Sequence, residues 1–344
     1  ATTVGEVYRA MKAGYSAADI VYTSDIFDRP TLEFVRQHAV GINAGSPDMI
    51  SQLGAVSPGR KITLRINPGF GHGHSQKTNT GGEGSKHGIW HEELPKCMEL
   101  ARASGIKIAG IHMHIGSGTD FEHLSQVCAS MERVALAAGE HLEVISAGGG
   151  LPTPYRPGDQ PLDVPRYTEL WLATQKKIAQ KLGRSIEMEV EPGRYLVAES
   201  GYLIAEIRAI KHQGSKTYYV LNAGFNNLAR PIMYGSYHPI SICPADGRTV
   251  TETCDAAVAG PLCESGDIFT QAEGGYVETR SLPAARIGDY LTLHCAGAYG
   301  FAMGSNYNSM TYAAEVLISR GEAVVIRERQ PVEDLVRGEV IPAL

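Results

Sequence analysis

The residues of this chain best suited to chemistry lie in a few short clusters, each following an apolar run. In His112-Met-His-Ile-Gly-Ser-Gly118, a histidine at a strand end can lie flat against a planar ligand. Ser117 and the amides after it can hold a phosphate. A lone histidine is more often a hydrogen-bonded structural residue, but His-X-Gly-Ser-Gly at a strand end rarely arises by accident. Gly148-Gly149-Gly150 lets the backbone approach an anion closely, although tight turns also produce triple glycines. Glu191-Pro-Gly-Arg194 is the sharpest signal. It reads either as a surface ion pair or as a ligand site, the acid serving a ring nitrogen that stays protonated and the arginine end a phosphate. A carboxylate about 4 Å from such a cationic ring contributes about 4 kcal/mol at an effective dielectric near 20. Further on, Arg230-Pro-Ile-Met-Tyr234 pairs an anion-binding fork with a phenol. Cys263-Glu-Ser-Gly-Asp267 puts a thiol beside an acid in a turn, where it is either a structural cysteine or a proton donor. Gly297-Ala-Tyr-Gly300 and Ser305-Asn-Tyr-Asn308 add two phenols, each ordinary turn chemistry if seen alone.

These clusters need elements that bring them together. Strand-like runs at 19–24, 41–46, 61–68, 106–115, 142–150 and 185–194 alternate with amphipathic stretches, clearest at 121–139 and 167–183, each ending at a glycine. Repeated βα units imply a parallel sheet. Polar groups at nearly every strand tip favour a (β/α)8 barrel over an open sheet. Six runs and a partial strand at 1–4 make seven, so the reading places the eighth unit upstream of Ala1, with a helix at 5–12. After about residue 200 the runs 203–210, 217–222, 290–295 and 323–327 are β-branched and punctuated by Gly and Pro, which reads as a mostly antiparallel β domain. The expected division is a barrel over 1–199 and a β domain over 200–344. The loop 69–85, rich in Gly and His, reads as functional or mobile.

Composition narrows the function classes. Lys and Arg total 31 against 37 Asp and Glu, a formal charge of −6, which argues against nucleic acid or an anionic membrane as partner. No apolar run is long enough for a bilayer span. The six cysteines form no CxxC pair or zinc spacing, so reduced thiols and no metal site are expected.

In order along the chain, His-Ile-Gly-Ser-Gly, Gly-Gly-Gly, Glu-Pro-Gly-Arg, Cys-Glu-Ser-Gly-Asp and Gly-Ala-Tyr-Gly resemble the motifs of the fold-type III pyridoxal-phosphate decarboxylases. That family acts on diaminopimelate, ornithine or arginine and joins an alanine-racemase-like barrel to a β domain. The runs 65–90, 146–151 and 259–267 are similar to its diaminopimelate-acting branch, and the resemblance covers essentially the whole chain. It implies pyridoxal 5′-phosphate as cofactor and decarboxylation of meso-2,6-diaminopimelate to L-lysine as the activity, the last step of lysine biosynthesis. It also implies that His114 stacks on the cofactor ring and that Glu191 faces its nitrogen, with Pro192 in the same turn. Ser117, Gly150, Gly193 and Tyr299 would hold the phosphate. Arg194, Arg230, Tyr234 and Tyr299 would bind substrate, Glu264 would read the distal ammonium, and Cys263 would return a proton after CO2 leaves. In the family the Cys-Glu segment reaches the partner's site, which implies a homodimer with active sites at the interface, and the reading of the cysteines as reduced thiols makes the cytoplasm the expected location. The Schiff-base lysine is expected upstream of Ala1, since Lys86 matches a different lysine of the family. Asn308-Ser-Met310 replaces the family's usual Asn-Ser-Arg. The competing expectations are a sister decarboxylase acting on another basic amino acid and a non-catalytic homologue lacking the lysine.

Overall fold

The computed structural model describes residues 1–71, 79–114, 116 and 120–343. The chain divides into two compact units, Ala1–Pro152 with Pro161–Gly193, and Thr153–Gln160 with Arg194–Leu344. The first unit runs α1 (Val4–Lys12), β1 (Val21–Ser24), α2 (Arg29–Gln37), β2 (Gly41–Ala44), α3 (Pro47–Val56), β3 (Lys61–Asn67) and β4 (Ile89–Trp90). It continues through α4 (Leu94–Ala103), β5 (Lys107–His112), α5 (Phe121–Ala138), β6 (Val144–Ser146), α6 (Val164–Leu182) and β7 (Glu187–Glu189). The strands pair in the order β1-β2-β3-β5-β6-β7, all parallel, with β4 beside β3. Sequential parallel neighbours with a helix in most crossovers form a TIM-like barrel wall.

Local chemistry sets the helix ends. Asp28 accepts from Thr31 N at 2.7 Å and Asp163 from Arg166 N at 3.1 Å, with Pro30 and Pro165 in the first turns. Gly183 stops α6 in the left-handed conformation at φ 68°. The strands are apolar almost throughout because helices cover one face and the barrel interior the other: Ile42, Leu64, Ile66, Ile111 and Ile145 are all buried. On β5, a Cβ at Gly110 would lie 2.4 Å from Thr63 Oγ1 and 2.6 Å from Val144 Cγ1, so its neighbours close over the missing side chain.

Two expectations about this unit are corrected. Residues 1–4 do not form a strand. Thr3 accepts from Glu6 N at 3.2 Å and caps α1, while Ala1 alone joins the sheet, bonding Val21 O and Thr23 N at 2.8 Å each. The last strand ends at Glu189 rather than 194, because Pro192 has no N–H and the chain turns into α7 (Gly193–Val197).

The second unit holds β8 (Leu203–Gln213), β9 (Lys216–Leu221), α8 (Arg230–Tyr234), β10 (Ile240–Cys243), β11 (Thr253–Ala259), β12 (Arg280–Pro283) and β13 (Tyr290–Leu293). A hairpin of β14 (Glu315–Ser319) and β15 (Glu322–Arg327) follows. The six-stranded sheet runs β10-β13-β8-β9-β11-β12, antiparallel except where β11 pairs with β9. Ile207, Leu221, Val258, Phe269, Leu291 and Leu293 form its core. Residues 194–199 and 153–160 lie in this unit. The Gly297 N–H donates to Ala198 O at 3.1 Å and ties the first of these segments to it, and Ala296 N–H donates to Gly201 O just beyond, at 2.8 Å. Among the described residues, no helix is long and apolar enough to cross a membrane, and no group of His, Cys, Asp and Glu is placed to hold a metal.

Candidate active site

In the first unit the site is built at the ends of β3, β5, β6 and β7. β5 ends at His112, and the chain passes through Met113 to His114. Nδ1 of His114 accepts the Gly149 N–H at 3.0 Å, so the ring's own hydrogen sits on Nε2 and the ring orientation is fixed. Burial, then the nearby Arg65 and His112, lower its pKa to about 4, and the ring is neutral at pH 7. The triple glycine admits this ring. At Gly148 (φ +62°) a Cβ would lie 2.7 Å from His114 Cβ, and at Gly150 (φ +94°) 2.0 Å from Gly116 O. With the Gly149 amide taken by His114, the Gly150 N–H has no acceptor among the described residues.

Glu191 is tied to the same turn, its N–H donating to Gly148 O at 2.8 Å. Oε1 lies 3.3 Å from Nε2 of the fully buried His112, while the Glu191 side chain stays 44% exposed. Burial pushes this carboxyl up, but His112 foremost, then His114 and Arg65, outweigh that and hold it below the usual carboxylate range. It is therefore an anion with an open face. Half-buried Arg65 on β3 is pushed down by burial, opposed by Asp25 and Glu191. Asp25 is held by His87 Nδ1 at 2.9 Å and Gly88 N at 3.0 Å. Pro192 is half-buried, and the Gly193 N–H donates to Glu191 O at 2.9 Å. Ser117 lies outside the described residues.

The second unit gathers cations and phenols. Arg230, at the start of α8, is buried and donates to His238 Nε2 at 3.1 Å, with its guanidinium 4.5 Å over the Tyr155 ring. Burial lowers its pKa, and no salt bridge reaches it among the described residues. Arg194 lies over the Tyr299 ring at 5.5 Å. Tyr299 is 46% exposed and sits at φ +58°, a left-handed conformation that costs a bulky residue about 1–2 kcal/mol. Tyr234 is half-buried on the last turn of α8.

Cys263 and Glu264 are exposed on a turn organised by the buried Asp267. Asp267 accepts from Phe225 N at 2.7 Å and Leu262 N at 2.8 Å, and Cys263 N donates to Asn308 Oδ1 at 2.7 Å. The segment at Met310 is held in place, its carbonyl accepting from Asn306 Nδ2 at 2.8 Å.

The family model described as "Pyridoxal-dependent decarboxylase, pyridoxal binding domain" matches residues 1–198. The diaminopimelate decarboxylase of Escherichia coli (strain K12) is 52% identical over 345 residues, 98% of this chain and 82% of that protein. That of Streptomyces coelicolor is 48% identical over 347 residues, 99% of this chain and 79% of that protein. A crystal structure of a diaminopimelate decarboxylase matches with a TM-score of 0.95 at 52% identity, covering 98% of this chain and 82% of that one. The chain belongs to the diaminopimelate decarboxylase family.

The pyridoxal phosphate of this family fits the residues of the first unit. Glu191 offers an anion with an exposed face to a protonated ring nitrogen, His114 a neutral ring of fixed orientation, and Gly150 an unused N–H to an anion. Five groups of these clusters receive no role from sequence. Asp25, Arg65 and His112 stand at strand tips, where residue type alone does not separate a ligand group from a structural one. Tyr155 and His238 carry no spacing signal, because Tyr155 comes from a Pro-rich stretch that folds with residues much later in the chain.

Proposed function

We propose that this chain is a cytoplasmic, homodimeric enzyme that decarboxylates meso-2,6-diaminopimelate to L-lysine and CO2. The observation that carries the substrate is Arg230, a buried cation whose close partners, His238 and Tyr155, are uncharged. A distal carboxylate satisfies it, whereas the distal ammonium of a simple diamino acid is repelled. That separates this substrate from those of sister decarboxylases. Pyridoxal phosphate, when bound, supplies the electron sink for the bond to CO2. Glu191 would hold a negative charge for the ring nitrogen, and the neutral, oriented His114 ring would support the cofactor ring. Ser117, the Gly150 amide, the turn at Gly193 and the Tyr299 hydroxyl would hold the phosphate. Arg194 and Tyr234 join Arg230 on the substrate's distal end, and Glu264 takes its ammonium. Cys263 Sγ delivers a proton to the carbon that has lost CO2. The thiols of Cys243 and Cys263 are exposed and free, which suits a reducing compartment.

The test is CO2 release from diaminopimelate by the holoenzyme and its Glu191→Gln variant. Loss of about 4 kcal/mol of charge stabilisation lowers kcat roughly a thousandfold. An unaltered kcat removes Glu191 from the ring nitrogen, and no CO2 from the parent enzyme leaves only a non-catalytic homologue.

A further inference from the structure

Arg230 is held by a relay whose proton positions follow from the chemistry of its members. Arginine only donates, so His238 Nε2, 3.1 Å from Arg230 Nη1, is the acceptor and carries no hydrogen. His238 Nδ1 lies 2.9 Å from the His294 carbonyl, which only accepts, so the ring hydrogen is on Nδ1. The backbone of His238 is fixed too, its carbonyl accepting from Arg280 Nη1 at 2.6 Å. Tyr155 closes the assembly, its ring under the Arg230 guanidinium at 4.5 Å and edge-on to His238 at 5.5 Å. Both His238 and Arg230 are buried. An imidazole in that place, with Arg230 and Arg280 nearby, is kept neutral, its pKa lowered to about 4 first of all by burial.

The electrical result differs from an ordinary buried arginine, which meets a carboxylate. Here the orienting acceptor is uncharged. It fixes the direction of the guanidinium and leaves the charge uncompensated. We propose that His238 is a positioning residue that aims the Arg230 guanidinium at the substrate's distal carboxylate and sets selectivity for substrates that carry one. This rests on the reading of Arg230 as the carboxylate-binding group.

The experiment uses the holoenzyme with two substrates, meso-diaminopimelate and D-lysine, which presents the same reacting end but lacks the distal carboxylate. Four variants are compared: His238→Leu, His238→Gln, His238→Glu and Arg230→Gln. Removing the acceptor in His238→Leu raises KM for diaminopimelate about tenfold or more, with kcat at saturation changed far less. D-lysine turnover falls much less, so selectivity collapses. Gln restores an uncharged acceptor and recovers most of the selectivity. Glu keeps an acceptor but neutralises Arg230, and its selectivity stays low. If the leucine variant does not fold, the Gln and Glu pair decides alone, and equal selectivity in that pair overturns the proposal. Parallel losses on both substrates in His238→Leu overturn it as well. Should Arg230→Gln collapse selectivity while every His238 variant keeps it, the positioning role falls and the Arg230 reading stands. Should Arg230→Gln keep selectivity, the reading beneath the proposal falls.

Discussion

His238 and His114 share an electrostatic condition: each imidazole is buried or half-buried beside arginine, and each pKa is lowered to about 4. A base depressed in the folded state binds fewer protons there than in the unfolded chain, so stability rises with pH between the two values. The contribution is complete above the unfolded value near 6.5 and is lost as pH falls toward 4. For the fully buried His238 the gap corresponds to about 3 kcal/mol, and the half-buried His114 adds a smaller part. The expected outcome is a urea midpoint that drops on going from pH 7.5 to 4.5, and drops less in His238→Gln. Equal drops in the two proteins would contradict a neutral buried His238. This group also marks the limit of sequence reading at the residue scale. His114 and Glu191 stood out because their motifs are compact, with all members within a few positions. His238, Tyr155, Arg280 and His294 come together only through the sheet of the second unit, so no window of sequence contains their relation.

At the scale of elements, the parallel sheet was legible because buried strands are unbroken apolar runs and their helices carry caps and terminal glycines. Strand ends were less so. Predicted strands ran into the polar tips that follow them, since residues such as Gly148 and Glu191 continue the run in sequence while leaving the ladder in space. In the second unit β11 reads Thr-Cys-Asp-Ala-Ala-Val-Ala and β12 Arg-Ser-Leu-Pro, compositions poor in β-formers, and what recommends them as strands is the burial of Ala256, Val258 and Leu282 in the same core as Tyr219. The contact between β3, β5 and β6 gives a prediction at this scale. Gly110→Ala places a Cβ 2.4 Å from Thr63 Oγ1 and 2.6 Å from Val144 Cγ1, both on stiff β-branched side chains. A loss of about 1–3 kcal/mol is expected in denaturant unfolding. Gly5→Ala on α1 meets only Thr3 Oγ1, at 3.7 Å, and gains up to about 1 kcal/mol from helix propensity. If both glycines tolerate alanine equally, the tight fit at β5 is refuted.

For the whole molecule, the sequence pattern changes near residue 200, and the strands from β8 onward form a sheet of their own. The segment 153–160 gave no such warning, because its place depends on contacts made far along the chain. Glu191 belongs to the first unit and Cys263 to the exposed turn of the second. In the proposed homodimer that turn serves the partner's site, and subunit mixing separates this arrangement from one in which each chain serves itself. Homodimers of Glu191→Gln or of Cys263→Ala carry a lesion in every site. Random reassociation of the two makes half of the dimers mixed. With the turn acting in trans, each mixed dimer holds one doubly damaged site and one intact site, so about a quarter of the parent activity returns. With the turn acting in its own chain, every site in the mixture keeps one lesion, and denaturing and refolding the two variants together recovers nothing.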